Sequence, residues 1–442
     1  MGLDSHPCKS SNRRSLKIHS LGLGSGYGSL MADLRPLIPS VRMFSLIASF
    51  SLHNNPYQTL TISKTQPVTQ ASLLHFPANM RMALRIGLVA PLYESVPPRF
   101  YGGTERVVSY LAEGLKREGH SVTLYASGDS QTRAQLVECC PQALRLDPNA
   151  RDHLSPHLRQ IETVVRDQKK FDLIHFHTDA FFFAALPRLH VPSLITLHGR
   201  LDLTETRLLM NEFPEANLTS ISDAQREGLK GLNWKATVHH GMPLDEIPFQ
   251  EHPALGENAY LAFLGRISPE KRPDRAIEIA KKAGMKLKIA AKFDPNHPEY
   301  NERVSLLMKQ PHVEFVGEIA GAEKVEFLRN ATALLFPIDW PEPFGLVMME
   351  SLAAGTPVIA YPFGSVPEII QDGENGRLVD NVHDAVIAVK RISEISRRQC
   401  RLDFERRFSL QAMTGNYLQA YGEILTESDE VMRPFRSYAG DP

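Results

Sequence analysis

From Leu84 onward the chain alternates short apolar runs with amphipathic stretches, halts at a proline-punctuated connection, and then begins the same alternation again. Residues 84–90 form an apolar run expected to be a buried strand. A loop through Pro97, Pro98, Gly102 and Gly103 follows. Val107, Val108, Leu111 and Leu115 then share one face of a helix expected to end at Gly119, and Val122, Leu124 and Ala126 mark the next strand. Strand, helix, strand in this order implies a parallel sheet with a right-handed crossover. Further strands are expected at residues 172–175 and 193–198, and near 218–221. Residues 242–253 form the connection. The pattern restarts with a strand at 260–265, a loop carrying Arg266 and Lys271, a helix with Pro273 near its first position, and a strand at 287–290. Two such series predict two doubly wound α/β domains, each binding ligands beyond the carboxyl ends of its strands.

The stretch Trp340-Pro341-Glu342-Pro343-Phe344-Gly345-Leu346-Val347-Met348-Met349-Glu350 carries the most chemistry. Ala333 to Phe336 reads as a short buried strand, and helix formers run from Leu346 to Ala354, with Gly355 placed to close the helix. The amides of Phe344, Gly345 and Leu346 therefore start a helix facing the carboxyl end of a strand, where an anion is favoured. Glu342 and Glu350 would repel phosphate, so they are assigned to hydroxyls of the same ligand. An anion plus several hydroxyls describes a nucleotide sugar. The competing reading of Glu342 is a solvated loop acid; Glu350, set among Val347, Met348, Met349 and Leu352, fits that reading poorly. Arg266 and Lys271 lie five positions apart at the end of a strand. Arg supplies a planar fork and Lys a point charge, and together they can converge on one diphosphate. The alternative for this pair is ordinary solvated loop charge.

The segment 340–350, with Glu350-Ser351-Leu352-Ala353-Ala354-Gly355-Thr356-Pro357-Val358-Ile359-Ala360 behind it, closely resembles the Glu-x7-Glu signature of the family-4 retaining glycosyltransferases. The resemblance extends from about Leu84 to Tyr421 and is strongest between Leu261 and Val379. It implies the GT-B fold, two Rossmann-like domains facing each other across a cleft. The implied organisation is an acceptor-side domain over residues 82–245, a donor-binding domain over 246–407, a helix over 408–428 returning to the first domain, and a tail over 429–442. Arg266 and Lys271 match residues that bind the donor diphosphate. Gly103 matches a glycine loop set against the phosphate across the cleft, and His198 a histidine beside the donor sugar. The expected activity is a retaining, metal-independent transfer of a sugar from a nucleoside-diphosphate sugar to an unidentified acceptor, whether glycan, glycolipid or small molecule. Glu350 is expected to hold the ribose and Glu342 the sugar. A nucleotide-sugar epimerase of the same fold and a non-catalytic nucleotide-sugar-binding protein are the rivals. One departure stands out: Val238-His239-His240-Gly241-Met242-Pro243 occupies the place where the family has Asn-Gly before an acid.

Other features narrow the classes. A formal net charge of -1 offers no bulk attraction for nucleic acid. No Gly-x-Gly-x-x-Gly follows a strand, and the spacing of Gly22, Gly24, Gly26 and Gly28 does not match it, so no cofactor is expected. His175, Phe176, His177 and Asp179 imitate a metal site, but no further ligand cluster joins them, and no Asp-x-Asp occurs. A metal is not expected. Four cysteines without paired spacing suit a reducing, cytoplasmic compartment. With no apolar run of eighteen residues, membrane contact is expected to be peripheral at most. Residues 1–79 contain Asp4 and Asp33 but no Glu, and many Ser. Residues 1–81 are expected to be a disordered extension. One explanation is a mis-called start, with Met80 or Met82 the true one; a second is a Ser-rich, acid-poor targeting peptide; a third, a signal sequence around the apolar patch Met43 to Phe50, suffers from the distance to Met1 and the want of a good cleavage site.

Overall fold

The computed structural model describes residues 83–99 and 102–436, so the expectations for residues 1–79 lie outside the described range. The first series comprises β1 (Arg85–Val89), α1 (Gly103–Arg117), β2 (Ser121–Ser127), β3 (Gln135–Cys140), α2 (Leu154–Asp167), β4 (Leu173–Phe176), β5 (Ser193–Thr196), α3 (Thr204–Asn211), β6 (Leu218–Ser220) and β7 (Trp234–Thr237). Its seven strands form one parallel sheet in the order β3-β2-β1-β4-β5-β6-β7. The strands read as continuous apolar runs because both faces are covered. Ile86 and Leu88 pack with Val107, Val108 and Leu111 on one face. Val89, Ile174 and Phe176 pack with Ile161 and Val164 on the other.

The second series comprises β8 (Tyr260–Ile267), α4 (Pro273–Ala283), β9 (Lys286–Phe293), α5 (Pro298–Leu307), β10 (Val313–Gly317), α6 (Gly321–Asn330), β11 (Ala333–Phe336), α7 (Leu346–Ala354), β12 (Val358–Ala360), α8 (Val366–Ile369), β13 (Gly376–Leu378), α9 (Val382–Lys390) and α10 (Arg397–Arg407). The strands form a six-stranded parallel sheet ordered β10-β9-β8-β11-β12-β13. Pro273 opens α4 and Gly355 follows α7, as expected. A last helix, α11 (Leu410–Arg436), lies on the first series: the Tyr421 hydroxyl meets His175 Nδ1 at 2.8 Å, and the Tyr417 hydroxyl meets Thr196 at 3.1 Å. The two chain crossings between the series bind each other, with Met242 N donating to Phe408 O and Leu410 N to Met242 O.

Three local expectations need correction. β8 keeps its register with β9 through Arg266 and Ile267, so Arg266 lies in the strand and not on the loop. β5 ends at Thr196, which puts His198 two residues beyond the strand. α1 ends at Arg117, before Gly119. The two strand errors concern element ends, where pairing with a neighbour, invisible to local periodicity, decides the last residues; α1 is closed by its own chain, with Gly119 N donating to Lys116 O and His120 N to Leu115 O. Among the described residues, no helix is long and apolar enough to cross a membrane.

Candidate active site

In an open parallel sheet the binding crevice lies where the strand order reverses. In the second sheet that point falls between β8 and β11. The segment leaving β8 carries Lys271 and the loop leaving β11 carries Glu342, so the topology forces these two regions together. Asp339 N donates to Glu270 O at 2.9 Å, and Arg272 pairs with Asp339 at 2.6 Å, fastening the loops to each other. Within that frame the Lys271 ammonium pairs directly with the Glu342 carboxylate. Trp340 Nε1 donates to the same oxygen, Oε2, at 3.0 Å, and the Lys271 ammonium lies 4.9 Å from the Trp340 ring centre.

The loop between β12 and α8 presses on Glu342 from behind. Ser365 N donates to Glu342 O at 2.9 Å, and Ser365 Oγ to Phe344 O at 3.0 Å. A Cβ on Gly364 would stand 2.4 Å from Glu342 N, so this backbone approach requires glycine. Gly345 takes the left-handed conformation (φ 77°) and turns the chain into α7. Met348 N turns back to Gly345 O at 2.9 Å, and the amides of Leu346 and Val347 ahead of it have no helical acceptor.

Glu350 and Glu342 are each 9% exposed. That burial departs from the solvated-acid alternative for Glu342. The Glu350 carboxylate takes an ion pair at 2.6 Å from Lys324 on α6. Arg266 Nη1 donates to Asp294 at 3.0 Å and Nη2 to Glu270 at 3.1 Å, while its Nε is buried without a partner. Lys271, Lys324 and Arg266 therefore each rest against a carboxylate.

The first sheet reverses between β1 and β4. A Cβ on Gly103 would reach Leu346 Cδ1 at 3.3 Å, which sets the glycine loop against the start of α7. His198 Nε2 lies 2.8 Å from His177 Nδ1. Its ring stacks on His240 with centres 5.3 Å apart, and His240 meets Phe344 edge-on at 4.6 Å. The unusual connection sequence thus has its own work. His240 joins the two sides, and Glu368 on α8 accepts from Asp223 N and Ala224 N at 2.8 and 2.7 Å while meeting His239 at 3.0 Å.

Burial drives His175, His177 and His240 well below the usual histidine range and His198 down to about 3, so all four rings are neutral at pH 7. Burial also pushes Glu105, in the first turn of α1, up to about 7. Among the described residues, no three His, Cys, Asp or Glu converge as metal ligands, and the Asp179 side chain is not among those described.

The structure ties Lys271 to Glu342, sets Gly103 against Leu346 and links His198 to Phe344 through His240, with Gly345 between Phe344 and Leu346; Arg266 and Glu350 lie on the same series, held by Asp294 and Glu270 and by Lys324. Sequence reasoning missed Lys324, Trp340, His240 and Glu105. Trp340 had a signal in its place two residues before Glu342, and His240 had one in the departure at residues 238–243. Lys324 and Glu105 are ordinary helix positions until the folded chain buries them.

Comparison with known proteins identifies the class. Residues 245–412 match the family described as glycosyl transferases group 1, and residues 101–238 match glycosyltransferase family 4, together more than half of the chain. Sucrose-phosphate synthase from Thermosynechococcus elongatus shares the fold (TM-score 0.62, 19% identity, 78% of this chain and 100% of that one). So does Anabaena HepE, solved in complex with UDP-glucose (TM-score 0.58, 16% identity, 78% and 100%). The phosphatidyl-myo-inositol mannosyltransferase of Mycobacterium leprae is 25% identical over 383 residues, 79% of this chain and 99% of its own. The fold is GT-B. The chain belongs to the group 1 glycosyltransferases, enzymes that transfer a glycosyl group from a sugar donor.

Proposed function

We propose that the chain is a retaining, metal-independent glycosyltransferase whose donor is a nucleoside-diphosphate sugar. The observation that carries this reading is the pairing of each buried carboxylate with a lysine, Lys271 with Glu342 and Lys324 with Glu350, beside the start of α7. A diphosphate arriving there exchanges partners with Glu342: Lys271 and the α7 amides turn to phosphate oxygens, and the freed carboxylate accepts from sugar hydroxyls. Glu350 accepts from the ribose. Arg266 reaches the diphosphate from the end of β8. Side-chain cations and helix amides supply the positive charge that a divalent ion would otherwise bring. That HepE binds UDP-glucose on the same fold supports this donor class.

His198 lies beside the sugar and, with Glu342, contacts the reacting part of the donor. The leaving phosphate takes the acceptor hydroxyl proton while the anomeric carbon–phosphate bond breaks and the new glycosidic bond forms on the same face. The second series (246–407) is the donor side, and the first (82–245) offers its β1–α1 segment to the acceptor, a glycan, glycolipid or small molecule. A reducing cytoplasmic setting suits the three buried, unpaired cysteines Cys139, Cys140 and Cys400.

A thermal-shift panel of UDP, GDP, ADP and their hexose conjugates tests the donor class. A ligand at 100 times its dissociation constant should add ~2.7 kcal/mol of stability. No response to any member would overturn the nucleotide-sugar reading. Ligand binding without slow donor hydrolysis would favour a non-catalytic binder, and an epimerised sugar nucleotide would favour the epimerase. NMR of the anomeric proton of a transfer product should show retention; inversion would reject the mechanism.

A further inference from the structure

His177 is fully buried, lies one residue past β4, and has no part in the scheme above. Its Nδ1 stands 2.8 Å from Nε2 of His198. The remaining nitrogen of each ring, His177 Nε2 and His198 Nδ1, is buried and has no partner. His175, beside it with ring centres 4.0 Å apart, is by contrast saturated through Tyr421 and Thr196.

We propose that His177 is a positioning residue that donates Nδ1–H to His198 Nε2 and so obliges His198 to present Nδ1–H to an oxygen of the bound sugar donor. The proposal rests on the reading that His198 lies at the donor.

The argument begins with one hydrogen. Burial keeps both rings neutral, and two protonated nitrogens could not face each other at 2.8 Å, so a single N–H lies between them. Two arrangements satisfy this. In the first, His177 carries its hydrogen on Nδ1 and His198 carries its own on Nδ1. In the second, both hydrogens move to Nε2. Without ligand the two leave equal counts unsatisfied, one donor and one acceptor. With a ligand oxygen at His198 they differ. The first arrangement satisfies the His198 N–H and leaves only a lone pair on His177. The second leaves a buried N–H on His177 with no acceptor, the rarer and costlier state. An oxygen-rich donor therefore selects the first. His240, stacked on the His198 ring, holds the plane in which that N–H is aimed.

The test uses the full chain. With 15N-histidine labelling and the nucleotide hexose selected by the thermal-shift panel bound, long-range 1H–15N spectra should show His198 protonated on Nδ1 and bare on Nε2; protonation on Nε2 overturns the proposal without any variant. His177→Ala should lower hydrolysis of the nucleotide hexose selected from the panel of UDP-, GDP- and ADP-hexoses about tenfold or more while leaving affinity for the matching nucleoside diphosphate unchanged. His177→Asn, whose amide N–H can stand where Nδ1–H stood, should restore most of that rate. The double variant His177→Ala/His198→Ala should be no slower than His198→Ala. An equal cost of His177→Ala in both backgrounds would mean that His177 acts independently and would defeat the proposal alone. Unchanged hydrolysis in His198→Ala would instead defeat the placement of His198 at the sugar, and the role of His177 with it.

Discussion

The two sides of the crevice achieve polarity in opposite ways. On the second sheet the charged groups of the site are ions held by counter-ions: Lys271 against Glu342, Lys324 against Glu350, and Arg266 against Asp294 and Glu270. On the first sheet a row of histidine rings is held neutral by burial, beside a glycine loop and Glu105, whose carboxyl is raised toward neutrality. Paired ions keep full charges ready for an anionic ligand at a desolvation cost that neither would meet alone. Neutral rings add directional hydrogen bonds without attracting a second anion or repelling the first. One side suits holding a diphosphate and the other suits orienting what is attached to it.

The largest effect should come from removing charge on the ionic side. Lys271→Ala and Arg266→Ala should each weaken nucleoside-diphosphate binding by roughly 1.5–3 kcal/mol, measured by titration calorimetry. Lys271 should cost more, since two carboxylates already draw on Arg266. Parent-like affinity in both variants would remove the basis for calling this the anion side.

Next in size is the pH response of the neutral side. For the buried histidines the folded pKa is lowered, so between that value and about 6.5 the unfolded chain binds more protons. Their stability contribution is complete above about 6.5 and is lost as pH falls below it. Glu105 has the opposite sign: its folded pKa is raised to about 7, so stability is lost as pH rises from the ordinary carboxyl value through 7. At ~1.4 kcal/mol per pKa unit, the rise from the ordinary value to about 7 sets an upper limit of ~3.5 kcal/mol on the Glu105 contribution. Glu105→Gln should therefore raise the melting temperature at pH 8 and leave it nearly unchanged at pH 4.5. Equal shifts at both values would show that burial does not govern this carboxyl.

A third test divides the ionic side itself. Glu350→Gln should weaken nucleoside diphosphate and complete donor alike, by about tenfold. Glu342→Gln should spare nucleoside-diphosphate affinity while slowing turnover. Reversed phenotypes would mean that the donor lies the other way round in the crevice. The smallest expected effect is that of excess EDTA, which should leave transfer essentially unchanged. Loss of activity restored by Mg or Mn would end the metal-free scheme.

Much of this site is legible along the chain because its parts are local. Proline and glycine bracket the Glu342 loop, apolar periodicity defines α7 and thereby places Glu350 inside it, and Gly102-Gly103 precedes α1. The strand ends were less legible. Arg266 belongs to β8 because Lys292 of β9 pairs beside it, and no pattern within residues 260–273 announces that partner. The histidines were misleading in another way. His175 and His177 do point to one side, as their spacing requires, yet their partners are Tyr421, Thr196 and His198, up to 246 residues away.

The sequence by itself determined two βαβ series, their junction, and which residue types could serve an anion and its hydroxyls, since these follow from periodicity, backbone freedom and side-chain chemistry read within a few residues. Only the tertiary structure decided which lysine neutralises which carboxylate, that Phe344 reaches His198 through His240, and that four histidines are held neutral. Desolvation and ion pairing depend on what the folded chain brings within a few ångströms, and distance along the sequence carries no record of that.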